Sequence, residues 1–201
     1  IVLDADETVF FGLNLLYDSA VLQFEMYLFE IFGSYTPNCY SIRNRFMQVN
    51  GELAKTYGIR RGRVTAAFLQ VYEEAYAYVR RRFGVEKLSL EKDNLIRRRI
   101  QEMGDSPFDH SKMQWMLGAK ETLRDLKAAG HKLCLLTSYD ETEWPKRRDL
   151  LGVQEFFDLI NILPVPGLKT KEDFIKVSGW SSEKDFERLW CAIGNGTSDI
   201  N

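Results

Sequence analysis

Apolar and polar positions follow one pattern in the last two fifths of the chain and another before it. From residue 118 onward, short apolar runs that predict strands alternate with segments of helical spacing. A repeated strand–helix alternation is typical of a parallel sheet whose crossovers are right-handed. The predicted strands are 133–136, 159–163 and 189–193, and the predicted helices are 119–129, 145–151 and 170–178.

Residues 6–17 are predicted to form a loop or tight turn, and the block from about residue 12 to residue 116 is predicted to contain helices alone. Its apolar residues recur at helical spacing, as in the stripe of Val64, Phe68 and Val71. Glycines mark the predicted ends. The predicted helices are 18–33, 41–57, 63–83 and 89–103, the last of them stopped by Gly104. The sequence therefore predicts an α/β protein in which a helical block is inserted after the first strand of a parallel sheet.

Two carboxylates close the first predicted strand, which covers residues 1–5. Asp4 and Asp6 are two positions apart, so their side chains face the same way in an extended segment. Carboxylates held close repel each other, and Mg²⁺ is the usual compensation because it favours oxygen ligands. Asp199 follows the last predicted strand, and parallel pairing would bring it to Asp4 and Asp6 at the edge where open α/β sheets bind ligands.

Composition limits the partners and the compartment. The chain carries 27 Lys and Arg against 29 Asp and Glu, a net charge of −2, which argues against nucleic acid. We expect the arginine clusters at 60–63, 80–82 and 97–99 to be solvated helix surface, with phosphate contact as the alternative. We also expect His110 and His131 at the surface or in turns. Three widely spaced cysteines and no apolar run of spanning length predict a cytoplasmic protein that binds no membrane.

Four short motifs in sequence order resemble the signatures of the haloacid dehalogenase-like hydrolase superfamily. They are Asp-x-Asp-x-Thr at 4–8, the strand end Thr137-Ser138, Lys169 before a helix, and the Gly-Asn turn at 194–195 followed by Asp199. The resemblance implies a Rossmann-like catalytic core formed by residues 1–11 and 117–201. It also implies that residues 12–116 are a helical cap, which we expect to close over the carboxyl ends of the strands.

The resemblance further implies a phosphatase that depends on Mg²⁺. Asp4 would be the nucleophile that forms an aspartyl-phosphate, and Asp6 would be the general acid and base. Thr137, Ser138 and Lys169 would bind the phosphoryl group. The metal ligands would be Asp4, Asp6, Asp199 and Asn195.

Several alternatives stay open at this stage. Lys171 competes with Lys169 for the phosphate, and Asn195 stands where an aspartate is commoner. The favoured function is that of a phosphatase whose substrate is a small phosphorylated metabolite. The alternative functions are those of a phosphomutase, another phosphotransferase or a non-catalytic scaffold. Asp6 argues against dehalogenation. Because the chain lacks an initiator Met and stops two residues after Asp199, we expect the native polypeptide to continue beyond Asn201 and to protect the edge strand.

Overall fold

The computed structural model describes residues 1–58, 60–163, 169–178 and 192–193. Contacts within the chain group it into two compact units, residues 1–13 with 110–201 and residues 14–109. The first unit holds a parallel sheet, and the described part of the second is helical. The predicted α/β class with an all-helical insertion is therefore confirmed, whereas the role of that insertion as a cap stays a prediction.

A parallel sheet organises the first unit. In the described residues its strands lie in the order Leu159–Leu163, Cys134–Ser138, Val2–Leu3 and Ala192–Ile193. Leu3 pairs with Leu135 on one side and with Ile193 on the other, so the central strand places its carboxyl end between those of its neighbours. The strands are β1 (Val2–Leu3), β4 (Cys134–Ser138), β5 (Leu159–Leu163) and β6 (Ala192–Ile193), and a separate antiparallel pair is formed by β2 (Phe10–Phe11) and β3 (Gln114–Trp115).

Alternate residues of the sheet pack into two separate cores. Successive side chains of a strand point to opposite faces. On one face Leu3 and Leu135 pack with Leu123 of the helix α5 (Ala119–Ala128). On the other face Leu136 packs with Phe174 of α7 (Lys171–Ser178). Apolar cover on both faces explains why the strands read as continuous apolar runs rather than as alternating ones.

The sequence prediction missed the short antiparallel pair. Residues 6–17 were expected to form a loop or tight turn; a tight turn does follow β1, but Phe10 and Phe11 also pair with Trp115 and Gln114. The Phe10 and Trp115 rings meet edge to face with their centroids 4.7 Å apart. The next helix, predicted over 18–33, instead spans Leu13–Phe32. Two-residue strands held by one aromatic contact leave no periodic pattern in the sequence, which is the reason for the error.

Helices build the second unit around one apolar core. Asn38 and Ser89 each cap a helix by accepting a hydrogen bond from a backbone N–H, of Ser41 and Lys92 respectively. The stacked rings of Phe24 and Phe68 lie in the middle of the core. None of the described helices combines the length and the apolar composition needed to cross a membrane. The helices are α1 (Leu13–Phe32), α2 (Cys39–Tyr57), α3 (Arg63–Phe83) and α4 (Leu90–Asp105).

Gly104 does not stop its helix, contrary to the sequence prediction. It lies inside α4, which continues to Asp105. A Cβ at this position would collide with the backbone and side chain of Thr65 on α3. The glycine is therefore needed for the close approach of the two helices rather than for a turn.

We predict opposite effects of alanine at two helical glycines of this unit. Gly104→Ala should lower the free energy of unfolding by about 1–3 kcal/mol because the added methyl group forces α3 and α4 apart. Gly51→Ala in α2, where a Cβ would meet no atom within 4 Å, should raise that free energy by about 0.5–1 kcal/mol through helix propensity. Urea unfolding followed by circular dichroism measures both changes, and a stabilised Gly104→Ala would show that the close packing is wrong.

Candidate functional site

The candidate site lies at the carboxyl edge of the parallel sheet. Asp4 directly follows β1, and its backbone N–H donates to the carbonyl of Ile193 on β6 over 2.9 Å. Thr137 and Ser138 end the neighbouring strand β4, Thr137 buried and Ser138 half-buried. Because Leu3 pairs with Leu135, the end of β4 lies at the same edge as the residues that follow β1. The register of the sheet therefore collects these polar groups.

A tight turn carries Asp6 immediately after β1. The Ala5 carbonyl accepts hydrogen bonds from the N–H groups of Val9 and Phe10, and Glu7 N–H donates to Phe10 O over 2.7 Å. Glu7 adopts a φ of 54°, a left-handed conformation that L-residues other than Asn and Asp rarely visit. Such a conformation persists only where the surrounding contacts impose it. The turn thus holds Asp6 at one end and Phe10 at the other.

Asp4 is paired with Lys169. The Lys169 ammonium lies 2.9 Å from Asp4 Oδ1, and their side chains are only 5% and 12% exposed. Leu136 and Phe174 line the same small cavity, so the pair lies in surroundings that screen its charges weakly. Lys169 precedes α7 and reaches the central strand from outside the sheet. The pair brings a potential nucleophile and a compact cation together.

Asp6 is paired with a buried arginine. Arg147 belongs to α6 (Trp144–Leu151), its side chain is 0% exposed, and its Nη2 donates to Asp6 Oδ1. The guanidinium carbon lies 5.0 Å from the ring centroid of Phe10, 4.8 Å from that of Tyr139 and 5.7 Å from that of Trp144. The three rings are buried as well. Asp6 and Arg147 therefore form a charged contact inside an aromatic cage.

A buried histidine lies beside this cage. His110 Nε2 is 3.4 Å from Glu143 Oε2, and both side chains are almost fully buried. Burial lowers the pKa of His110, and the positive charge of Arg147 lowers it further. The prediction that His110 is a surface or turn residue is wrong in its first part, because the residue is 6% exposed although it stands in a short 3₁₀ turn. Contacts with α6, distant in sequence, account for this burial.

The predicted site residues fall into two groups. Asp4, Asp6, Thr137, Ser138 and Lys169 are described, and the first two each pair with a cation. Asn195 and Asp199 lie outside the described residues, as does the side chain of Lys171. Within the described residues no group of three or more His, Cys, Asp and Glu side chains could hold a metal ion. The full predicted ligand set thus stays a prediction.

The donors that are described suit a hard cation. Carboxylates and backbone carbonyls are the oxygen ligands that Mg²⁺ takes in proteins, and it keeps waters in its remaining positions. Asp4 and Asp6 supply such oxygens in the turn after β1, close to the sheet edge. Asp4 Oδ1 already accepts from Lys169, so a cation at this edge would be shared between Asp4 and other oxygens. The described residues therefore suit a cation that has few protein ligands and keeps several bound waters.

Sequence reasoning missed Arg147 and the burial of His110. A signal for Arg147 exists in retrospect. Trp144, Arg147 and Leu151 stand at positions i, i+3 and i+7 of α6, which is the spacing of an inward-facing stripe. A charged residue in such a stripe needs a partner inside the protein. The partner, Asp6, could not be chosen from the sequence because 141 positions separate the two residues.

Similarity to known proteins is visible at the level of structure. No protein-family model matches the sequence, and no curated protein sequence is significantly similar to it. A haloacid dehalogenase-like family hydrolase from Xanthomonas campestris shares the fold with a TM-score of 0.72 at 16% identity, over 98% of this chain and 73% of that one. A candidate β-phosphoglucomutase from Thermotoga maritima has a TM-score of 0.52 at 20% identity, over 89% of this chain and 68% of that one. At such identities the likeness concerns the fold.

We predict that His110 makes stability depend on pH on the acid side of neutrality. The lowered pKa of the folded state means that the unfolded chain binds the proton more readily. Stability is therefore present above the unfolded pKa of about 6.5 and is lost as pH falls through the folded pKa. Glu143 opposes this effect, while Arg147 and Lys146 strengthen it.

Urea unfolding of wild type and His110→Gln between pH 7.5 and pH 5 measures this loss. The variant should lose less stability over that range than wild type. His131→Gln, at the only other histidine, is the matched control and should follow wild type. Parallel pH profiles of wild type and His110→Gln would contradict the assignment.

Proposed function

We propose that this chain, which has the fold of the haloacid dehalogenase-like hydrolases, is a magnesium-dependent phosphatase that acts on a small phosphorylated metabolite. The observation that carries the proposal is the pairing of Asp4 with Lys169, whose charged atoms lie 2.9 Å apart at the carboxyl edge of the sheet. A carboxylate that attacks phosphorus needs a cation beside it to offset the charge that develops there. Asp6, Thr137 and Ser138 supply polar groups at or near the same edge.

In the first step Asp4 takes the phosphoryl group. One Asp4 carboxylate oxygen attacks phosphorus, and the bond from phosphorus to the ester oxygen breaks. The leaving oxygen takes a proton from the Asp6 carboxyl group and departs as an alcohol. Lys169 stays beside Asp4 and stabilises the negative charge of the transferring oxygens. Thr137 and Ser138 would donate hydrogen bonds to those oxygens.

In the second step water removes the phosphoryl group from Asp4. The Asp6 carboxylate, now without its proton, takes a proton from water, and the water oxygen attacks phosphorus. The bond from Asp4 to phosphorus breaks, which releases inorganic phosphate and restores the Asp4 carboxylate. The same residue thus acts first as acid and then as base. Asp6 lies in the turn at 5–10 and would serve both roles from that position.

Asp4 and the backbone carbonyl of Asp6 would hold Mg²⁺ together with Asp199 and, through a water, Asn195. When bound, the cation offsets charge between the carboxylate and the phosphate. Two described carboxylates at one edge, Asp4 and Asp6, support the proposal of a metal site there. Both chemical steps use only the residues named for them, which are Asp4, Asp6, Lys169, Thr137 and Ser138.

We predict release of inorganic phosphate from at least one member of a panel of phosphorylated metabolites. The release should require Mg²⁺ and stop with a chelator. Asp4→Asn keeps the size of the side chain but removes the nucleophile, so activity should fall to below about a hundredth of wild type. Asp6→Asn should lose on the order of 10²–10⁴-fold in rate.

Mass spectrometry of the protein after mixing with substrate adds a second measurement. A gain of one phosphoryl group should appear in Asp6→Asn and be absent in Asp4→Asn. Full activity of Asp4→Asn would reject the proposal. Transfer of the phosphoryl group to another position of a sugar, without free phosphate, would instead favour the phosphomutase alternative.

We further predict that Lys169 rather than Lys171 serves the phosphate. Lys169→Met keeps the aliphatic stem and removes the charge beside Asp4, so kcat should fall on the order of 10²–10³-fold, as for loss of a transition-state donor. Lys171→Met removes the same charge two residues away and should retain most of the activity. Steady-state kinetics of the two variants decide the matter, and an equal loss in both would leave the choice of Lys169 wrong.

A further inference from the structure

Arg147 has an unusual combination of burial and sparse hydrogen bonding. Its side chain is fully buried, and of its donor atoms Nε and Nη1 make no hydrogen bond with any described residue. Its Nη2 donates a hydrogen bond to Asp6 Oδ1. A buried guanidinium normally fills its fork of donors, because each unpaired donor costs desolvation. The protein therefore keeps a costly cation here for the sake of one hydrogen bond and of its aromatic contacts.

Those contacts hold both ends of the turn that follows β1. Arg147 bonds Asp6 at the start of the turn and stacks against Phe10 at its end, 5.0 Å from the ring centroid. The strained residue Glu7, with φ at 54°, lies between them. Tyr139 and Trp144 contribute the other two rings around the guanidinium. One side chain thus contacts the turn at two points on either side of its least favourable residue.

We infer that Arg147 is a positioning residue for Asp6 that fixes the carboxylate in the orientation needed for proton transfer. The inference rests on the proposed function, in which Asp6 is the acid and base. Because Arg147 occupies Oδ1, the other oxygen, Oδ2, exchanges the proton with the leaving group and with water. The planar guanidinium is held between rings, so it cannot follow Asp6 if the carboxylate rotates. Arg147 touches neither substrate nor reacting atoms and acts through Asp6.

The alternative is a purely structural ion pair that stabilises α6 against the sheet. A structural pair and a positioning pair both lower stability when broken. They differ in kinetics, because only a positioning residue changes the step in which Asp6 moves a proton. That step depends on the leaving group, since an alkyl phosphate needs its leaving oxygen protonated and an aryl phosphate with an acidic phenol does not.

The first test compares two substrates in single-turnover experiments. Arg147→Met should lower the rate of phosphoryl transfer to Asp4 about 10–100-fold for an alkyl phosphate, the usual effect of residues that orient a reacting group. The loss should be several-fold smaller with p-nitrophenyl phosphate, and KM from separate steady-state assays should change little. Arg148→Met is the matched control, because Arg148 is partly exposed and pairs with Asp149 on the same helix. It should behave as wild type with both substrates.

The second test places the same change in an Asp6→Asn background. A residue that acts through Asp6 has nothing left to position, so Arg147→Met should cause no further loss with the alkyl phosphate. An additional 10–100-fold loss in this background, or an equal loss with both substrates, would overturn the inference. Should Arg147→Met fail to fold, Arg147→Lys keeps the charge in the cage and should show a smaller loss with the same dependence on Asp6.

A measurement without turnover separates this inference from the proposed function. Urea midpoints of wild type, Asp6→Asn, Arg147→Met and the double variant form a cycle that does not depend on activity. Midpoint shifts that add would mean that the two residues do not interact, and this result would overturn the inference. Shifts that do not add would establish the contact on which the inference rests, even if no member of the metabolite panel were hydrolysed and the phosphatase proposal failed.

Discussion

Charge compensation at the end of β1 is the constraint on which the site depends. Two carboxylates repel each other when they lie close, by about 4 kcal/mol at a separation of about 4 Å and an effective dielectric constant of about 20. One buried cation lies beside each carboxylate of this site, Lys169 beside Asp4 and Arg147 beside Asp6. Neither cation comes from the strand that carries the carboxylates. The pairs therefore form only if the sheet and its crossover helices are in place, so folding and the electrostatics of the site are the same problem.

The register of the sheet is what makes this possible. Leu3 pairs with Leu135, and Cys134 pairs with Leu159, so the register of β4 with both of its neighbours is fixed. The chain leaves β4 toward α6 at the edge of the sheet near Asp6. A slip of one residue would turn every side chain of a strand to the opposite face. The two different apolar cores forbid such a slip, because each face is already filled. Packing far from the site thus determines which carboxylate meets which cation.

Sequence reasoning reached the elements with strong periodic patterns and failed where tertiary contacts decide. The helix at 63–83 and the strand at 159–163 occur with the predicted bounds. Lys169 lies beside Asp4, but the choice between Lys169 and Lys171 as the phosphate lysine stays a prediction. Gly104 was misread because a glycine that stops a helix and a glycine that lets two helices touch look alike in one sequence. The burial of His110 depends on α6, more than thirty positions later along the chain.

The charges of the four described side chains also bear on how a phosphate dianion could bind at this edge. With both carboxyl groups ionised, Asp4 and Asp6 carry two negative charges and Lys169 and Arg147 carry two positive ones, so the four charges cancel. A phosphate dianion gains little net attraction from a neutral group of this kind. A divalent cation added at the carboxylates would reverse the sign and attract the dianion. If the proposed phosphatase activity is right, the two buried cations serve to shape and orient the carboxylates, and the positive charge that binds the substrate arrives with the metal.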